Sequence, residues 1–158
     1  MVKGPDLTGG GLQEDLKLNK SLVGKTFPGE SHRIEPQRVL EFRRFLDCIG
    51  PSNTWQKPIL AEGEQVHPMF LNHLSEGRGL PEIFVGFHHR HRTPGGETLE
   101  ALAPIHIGDT INTTSRLVDM YTKKGRSGTM LFVVWETEFT NQGGELVGRI
   151  RLPLIYTQ

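Results

Sequence analysis

Apolar residues recur every three or four positions in two stretches of the chain, and both stretches are predicted to be helices. The first helix opens at Pro36, where a proline costs no hydrogen bond, and it ends before Gly50 and Pro51. Its predicted buried stripe comprises Val39, Leu40, Phe42, Phe45, Leu46 and Ile49, and its polar face comprises Arg38, Glu41, Arg43, Arg44 and Asp47. A second helix, over residues 66–74, carries large apolar side chains on most of its surface and is expected to be buried.

Beyond Pro81 the apolar period changes to two, which predicts strands. The clearest strand covers residues 129–140, where Leu131, Val133, Trp135 and Phe139 share one face. A glycine-bearing turn at residues 141–144 leads into a returning strand over residues 145–156. Other strands or extended segments are predicted at residues 31–35, 83–92, 97–103 and 110–120, with turns at 93–96, 104–109 and 123–128. Helices followed by consecutive antiparallel strands predict an α+β domain whose sheet packs on a helix.

The length of 158 residues suits one domain. Residues 1–20 are rich in glycine and polar side chains and are predicted to be a flexible N-terminal arm, followed by a single domain over residues 21–158. A hydrophobic fraction of 35% is low for a free-standing core, so we expect a partner subunit to complete it.

Charge and cysteine content exclude several classes of function. The 18 basic and 18 acidic residues cancel, which argues against nucleic acid or an anionic membrane as the main partner. No apolar run approaches the roughly 20 residues that a membrane-spanning helix needs, and the first residues lack the pattern of a secretory signal. One cysteine, Cys48, excludes an intramolecular disulfide and a cysteine-rich zinc site. We therefore expect a cytoplasmic protein.

Three segments resemble the MaoC-like dehydratase family, in its amino-terminal, fatty-acid-synthase-dehydratase-like type of module. They are RSGTMLFVVWETEFTNQGGELV at residues 126–147, PIHIGDTI at residues 104–111 and LVGKTF at residues 22–27. The resemblance implies a hot-dog fold, in which an antiparallel sheet wraps a central helix, here residues 66–74. It further implies that two such modules pair and hold an acyl-CoA or acyl-carrier-protein thioester between them, without a cofactor.

Active members of this family hydrate a trans-2-enoyl thioester reversibly to the (R)-3-hydroxyacyl thioester. They use an Asp and a His five residues apart, in a Gly-Asp-x-Asn-Pro-x-His type of motif, because one group takes a proton from water and another delivers one to the α-carbon. The best positional match is GPSNTWQ at residues 50–56, which places Pro51 at the Asp position and Gln56 at the His position. Neither side chain can exchange a proton usefully near neutral pH. The chain is therefore expected to lack the family's catalytic pair.

The resemblance favours a role as the acyl-binding half of a hydratase or dehydratase whose partner carries the Asp and His. Candidate walls of the acyl tunnel or the core on the second helix are Val66, Met69, Phe70, Leu71, His73 and Leu74. Arg90 and Arg92 are candidates for contact with the phosphates of the thioester carrier. His89 and His91 would share a strand face, but no further ligand completes a metal site, so no metal is predicted.

Two alternatives remain open. The chain could be a homodimeric hydratase or thioesterase that uses relocated histidines, with His73, His88 and His89 as the fallback catalytic residues. It could instead be a binding or scaffold module in a larger assembly that handles acyl-CoA. The acyl length, the thioester carrier and the identity of the partner are not specified by the sequence.

Overall fold

Most of the described chain forms regular elements, and their order follows the apolar pattern. The computed structural model describes residues 20–49, 60–75, 91–126 and 128–157. The strands are β1 (Thr26–Arg33), β2 (Gln65–Val66), β3 (His91–Pro94), β4 (Thr98–Ala101), β5 (Ile105–His106), β6 (Thr110–Gly125), β7 (Gly128–Thr140) and β8 (Leu146–Thr157). The helices are α1 (Pro36–Ile49) and α2 (Phe70–Leu74), and a 3₁₀ turn at Lys20–Leu22 precedes β1. The predicted arm up to residue 19 and the predicted extended residues 83–90 lie outside the described ranges.

The long strands form one antiparallel sheet in the order β1-β6-β7-β8-β3, and β4 also pairs with β8. β2 and β5 pair separately. The inner face of the sheet carries two apolar clusters. The first packs on the helices and includes Ile111, Phe139, Val147 and Ile150, and the second includes Leu117, Met120, Leu131, Val133, Trp135, Leu154 and Tyr156. Ser115 of β6 and Thr137 of β7 face each other between these clusters, and their hydroxyl oxygens are 3.0 Å apart.

α2 is the helix around which the sheet curls. Its residues Phe70, Leu71 and Leu74 are each at most 1% exposed. Leu71 lies against Gly148 of β8, where a Cβ atom would come within 2.5 Å of Leu71 Cδ1. This close approach of a buried helix to a curled antiparallel sheet is the hot-dog arrangement, and the predicted α+β class is confirmed.

The predicted second helix begins later than expected. Val66 belongs to β2, where it pairs with Ile105, and the helix starts only at Phe70. Pro68 explains the difference, because a proline disfavours the helical conformation of the residue before it. Neither helix in the described part of the chain is long and apolar enough to span a membrane.

The predicted buried stripe of α1 is too wide, although the bounds of the helix are confirmed. Val39 and Phe42 are buried, whereas Phe45 is 61% exposed. Arg43, predicted on the polar face, is only 7% exposed, and its guanidinium pairs with Glu64 at 2.9 Å, which offsets the cost of burying its charge. The buried face of α1 is therefore narrower than its apolar side.

Several predicted strand bounds are also corrected. β1 is one strand, with an irregularity between Pro28 and Ser31. β6 continues to Gly125, because its pairing with β7 persists up to the facing Gly128. The connection between the two strands is therefore shorter than the predicted turn at residues 123–128. Thr93 and Pro94, predicted in a turn, belong to β3, an edge strand on which a proline is tolerated.

The tight contact at Gly148 predicts a large effect of a small substitution. Gly148→Ala would place a methyl group 2.5 Å from Leu71 Cδ1 and 3.1 Å from the carbonyl oxygen of Glu100. We expect the free energy of unfolding to fall by about 1–3 kcal/mol, as for overpacked cores, measured by urea denaturation. In the control Gly143→Ala, the added Cβ meets only Asn141 Oδ1, at 3.3 Å. Equal denaturation midpoints for the two variants would contradict this packing.

Candidate functional site

A groove of about 450 Å³ lies between α1 and α2. Glu41 and Phe45 are four residues apart on α1, so they project from the same side of that helix. Met69, which immediately precedes α2, and His73, within α2, have the same spacing. The groove is lined by Glu41, Phe42, Phe45, Met69, Asn72 and His73. Phe45 at 61% and Met69 at 42% exposure are large apolar side chains that the fold itself leaves uncovered, which is typical of a binding surface.

Aromatic rings connect the groove to the core. Phe42 and Phe70 meet edge to face, with ring centroids 5.5 Å apart. The imidazole of His73 lies 5.8 Å from the Phe70 ring and 6.5 Å from the Phe42 ring, measured between centroids. His73 is half-buried, so its imidazole is held against apolar rings while it borders the groove.

Glu41 and Asn72 are the other polar residues of the groove. Glu41 Oε1 accepts a hydrogen bond from Gln37 Nε2 at 3.1 Å. Asn72 Nδ2 donates to Glu97, which follows β3, and burial raises the pKa of the Glu97 carboxyl above its ordinary value. Asn72 Oδ1 is buried and has no hydrogen-bond partner within the described ranges. The exposed Glu41 carboxylate therefore gives the groove a hydrogen-bond acceptor beside its apolar walls.

The backbone N–H groups at the start of α2 are already engaged. Met69 N–H donates to His67 Nδ1 at 3.2 Å. The N–H groups of Phe70, Leu71 and Asn72 donate to the carbonyls of His67, Pro68 and Met69 at 2.9–3.1 Å. Pro68 has no N–H. Because Met69 is also a groove residue, a ligand there would border a helix start whose donors are occupied.

A second cavity, of about 380 Å³, lies between the start of α2 and the connection from β4 to β5. It is lined by Gln65, Val66, Pro68, Ala101, Leu102, Ala103, Pro104 and Ile105. Leu102 is 45% exposed. The two cavities thus lie on either side of the residues that open α2.

The structure divides the substrate-binding residues of the predicted second helix into two groups. Met69 and His73 line the groove. Val66, Phe70 and Leu74 are at most 2% exposed and belong to the core, and Val66 also borders the second cavity. Their contact with a substrate stays a prediction.

Few of the predicted phosphate-binding and catalytic positions belong to the described residues. Arg92 is exposed in β3. Burial raises the pKa of the Tyr156 hydroxyl above its ordinary value, and nearby Arg92 lowers it by less. The other predicted positions, Pro51, Gln56, His88, His89 and Arg90, lie outside the described residues.

Asp109, which follows Gly108 in the resemblance segment, has a structural role in its turn. Its Oδ2 accepts the N–H of His106 at 2.8 Å, and its Oδ1 accepts from Gln142 Nε2 at 2.9 Å. The His106 ring nitrogen lies 3.6 Å from the same carboxylate. In the described ranges no three His, Cys, Asp or Glu side chains converge to hold a metal ion.

The model of a protein family described as the FAS1-like, dehydratase domain region matches residues 21–149. The match includes both groove helices and most of the sheet. The chain belongs to this family. The resemblance of its strand segments to MaoC-like dehydratases is thereby confirmed.

Solved structures share the fold of this FAS1-like dehydratase-region chain at low identity. A chain of the HadBC (3R-hydroxyacyl-ACP dehydratase) complex from Mycobacterium tuberculosis is 16% identical, with a TM-score of 0.61 over 85% of this chain and 96% of that one. The MaoC-like dehydratase from Rhodospirillum rubrum is 19% identical, with a TM-score of 0.60 over 89% and 97%. The (R)-hydratase from A. caviae involved in PHA biosynthesis is 19% identical, with a TM-score of 0.56 over 84% and 94%. These likenesses establish the hot-dog fold alone, and comparison with curated protein sequences gives no match.

Four groove residues of this family member are not singled out from the sequence as site residues: Glu41, Phe42, Phe45 and Asn72. Glu41 and Phe45 were assigned to opposite faces of α1, and Asn72 carried no motif. The four-residue spacing of Glu41 and Phe45 is a signal that they share a side, but only the packing of α2 shows that this side borders a groove.

The division between core and groove predicts different stability effects. Phe70→Ala removes a fully buried ring and is expected to lower the free energy of unfolding by about 3–5 kcal/mol. Met69→Ala, one residue earlier but 42% exposed, is expected to cost less than about 1 kcal/mol. Chemical denaturation of the two variants measures the difference. Similar losses would show that Met69 is a core residue rather than part of the groove wall.

Proposed function

We propose that this chain binds the acyl part of a thioester as one hot-dog module of a hydratase or dehydratase, and that a second hot-dog module supplies the acid and base. The observation that carries the proposal is the α1/α2 groove, in which Phe45 and Met69 expose apolar surface next to His73. An acyl chain in the groove would cover these side chains, and burial of apolar surface is the main favourable term in binding of this kind. Membership of a dehydratase-region family supports the substrate class.

The division of labour rests on two independent features of the chain. Pro51 and Gln56 occupy the positions where the family motif has its acid and base. The N–H groups at the start of α2 already have acceptors, so they are not available to polarise a thioester carbonyl next to Met69. Each feature concerns a different requirement of the hydration chemistry.

The catalytic partner is a different chain in this proposal. A second copy of the same chain would bring the same Pro51 and Gln56, and would restore neither group. In the complete reaction the partner's base takes a proton from water as the oxygen adds to C3 of the enoyl thioester. Its acid delivers a proton to C2, and dehydration reverses these steps. The complex of a (3R)-hydroxyacyl-ACP dehydratase among the solved structures of this fold is a precedent for an assembly with more than one kind of chain.

Binding through the groove predicts a specific loss in a double variant. Hexanoyl-CoA is expected to bind the wild-type chain in isothermal titration calorimetry. Phe45→Ala with Met69→Ala is expected to raise Kd about tenfold or more, because each truncation removes apolar contact surface. Val23→Ala is the matched control, because Val23 is also an exposed apolar residue, at 37%, but lies outside the groove. Equal affinity of the double variant and the wild type would contradict the groove assignment.

A second candidate function is an autonomous hydratase, and one observation favours it: Glu41 and His73 line the same groove. A carboxylate and an imidazole are the two kinds of group that hydration needs. The first proposal predicts that the purified chain alone does not hydrate crotonyl-CoA. Hydration is measured as the loss of the enoyl thioester absorbance. Hydration that persists in Val23→Ala but is lost in Glu41→Gln and in His73→Ala would establish the second candidate instead.

A further inference from the structure

The groove is not lined as a site for a plain alkyl chain would be. Its apolar residues Phe42, Phe45 and Met69 are interspersed with Glu41 and with the neighbouring pair Asn72 and His73. An alkyl chain that covered the exposed Glu41 carboxylate would remove part of its water without replacing the hydrogen bonds, which is unfavourable. The ligand that fits this lining has a polar group within its apolar part.

The hydrogen bonds of the polar groove residues indicate which polar group that is. Gln37 satisfies part of the capacity of the Glu41 carboxylate, which can accept several hydrogen bonds. The Asn72 amide is oriented by donation from Nδ2 to Glu97, so its other atom, Oδ1, is an acceptor. Because Asn72 Oδ1 is buried, the acceptor that the groove offers to a ligand is the exposed Glu41 carboxylate, and the complementary ligand group is a donor. A hydroxyl group is an uncharged donor of this kind.

We propose that the groove selects acyl chains that carry a hydroxyl group beyond C3, and that Glu41 is the main acceptor for that hydroxyl. This inference rests on the proposed function. In that function C2 and C3 lie at the acid and base of the partner module, so the α1/α2 groove holds the more distal part of the chain. The exposed Phe45 and Met69 cover the methylene groups, and the hydroxyl replaces the water that the carboxylate would lose.

Matched ligands test this selection directly. Hexanoyl-CoA is compared with 5-hydroxyhexanoyl-CoA and 6-hydroxyhexanoyl-CoA by isothermal titration calorimetry with the full chain. At least one hydroxylated ligand is expected to bind about tenfold more tightly than hexanoyl-CoA, the effect of one hydrogen bond to a charged group. Because the readout is binding, it does not require the catalytic partner.

Variants locate the preference in the groove. Glu41→Gln keeps the shape of the side chain but removes its charge, and is expected to reduce the preference to about threefold or less. Phe45→Ala is expected to raise the Kd values of hexanoyl-CoA and of the preferred hydroxylated ligand by similar factors, which leaves the ratio of the two Kd values unchanged. Val23→Ala, outside the groove, is expected to change neither affinity nor ratio.

The possible failures are distinguishable. If hexanoyl-CoA binds and no hydroxylated ligand binds more tightly, the inference is overturned while the proposed function stands. A hydroxyl preference that survives unchanged in Glu41→Gln overturns the role of Glu41. If none of the thioesters binds, the proposed function falls and the inference falls with it.

Discussion

The contact between α2 and Gly148 of β8 is the constraint on which the rest of the structure depends. α2 has too few residues to be stable by itself, and its burial against the sheet supplies what helix propensity does not. A side chain at position 148 would push Leu71 away from β8. Because the helix lies directly on the sheet, Met69 and His73 are left at the border with α1. The groove is therefore a consequence of how closely the helix approaches the strand.

This arrangement couples the stability of the domain to the shape of its candidate site. Phe42 is at once a groove residue and a buried core residue, and its ring packs on Phe70. His73 is positioned by the same two rings. A substitution that repacks the core therefore moves the groove, whereas Phe45, at 61% exposure, can change with little effect on the core. The exposed apolar side chains next to the packed Phe42 and Phe70 rings can therefore be substituted to suit another ligand without loss of the fold.

The sequence predicts the elements that depend on local pattern and misses those that depend on distant partners. Pro36 and the apolar spacing locate α1, and alternation locates β7 with its buried face. The start of α2 is misplaced because apolar spacing outweighed the effect of Pro68 on the preceding residue. The burial of Arg43 could not be predicted, since its partner Glu64 lies 21 residues away and only the fold brings them together. The groove depends on the same kind of information, because Glu41 and Asn72 belong to different helices.

The hydrogen bonds at the start of α2 support the proposed binding role more directly than the polar side chains of the groove do. Glu41 and His73 could in principle exchange protons, but proton exchange alone leaves the thioester carbonyl unpolarised. Activation needs a donor at that carbonyl, and His67 engages two of the adjacent N–H groups, one through its ring and one through its carbonyl. Pro68 removes another donor from the same turn. The residues that follow β2 and begin α2 thus satisfy their own hydrogen bonds, which agrees with the proposal that this module holds the acyl chain and its partner transforms it.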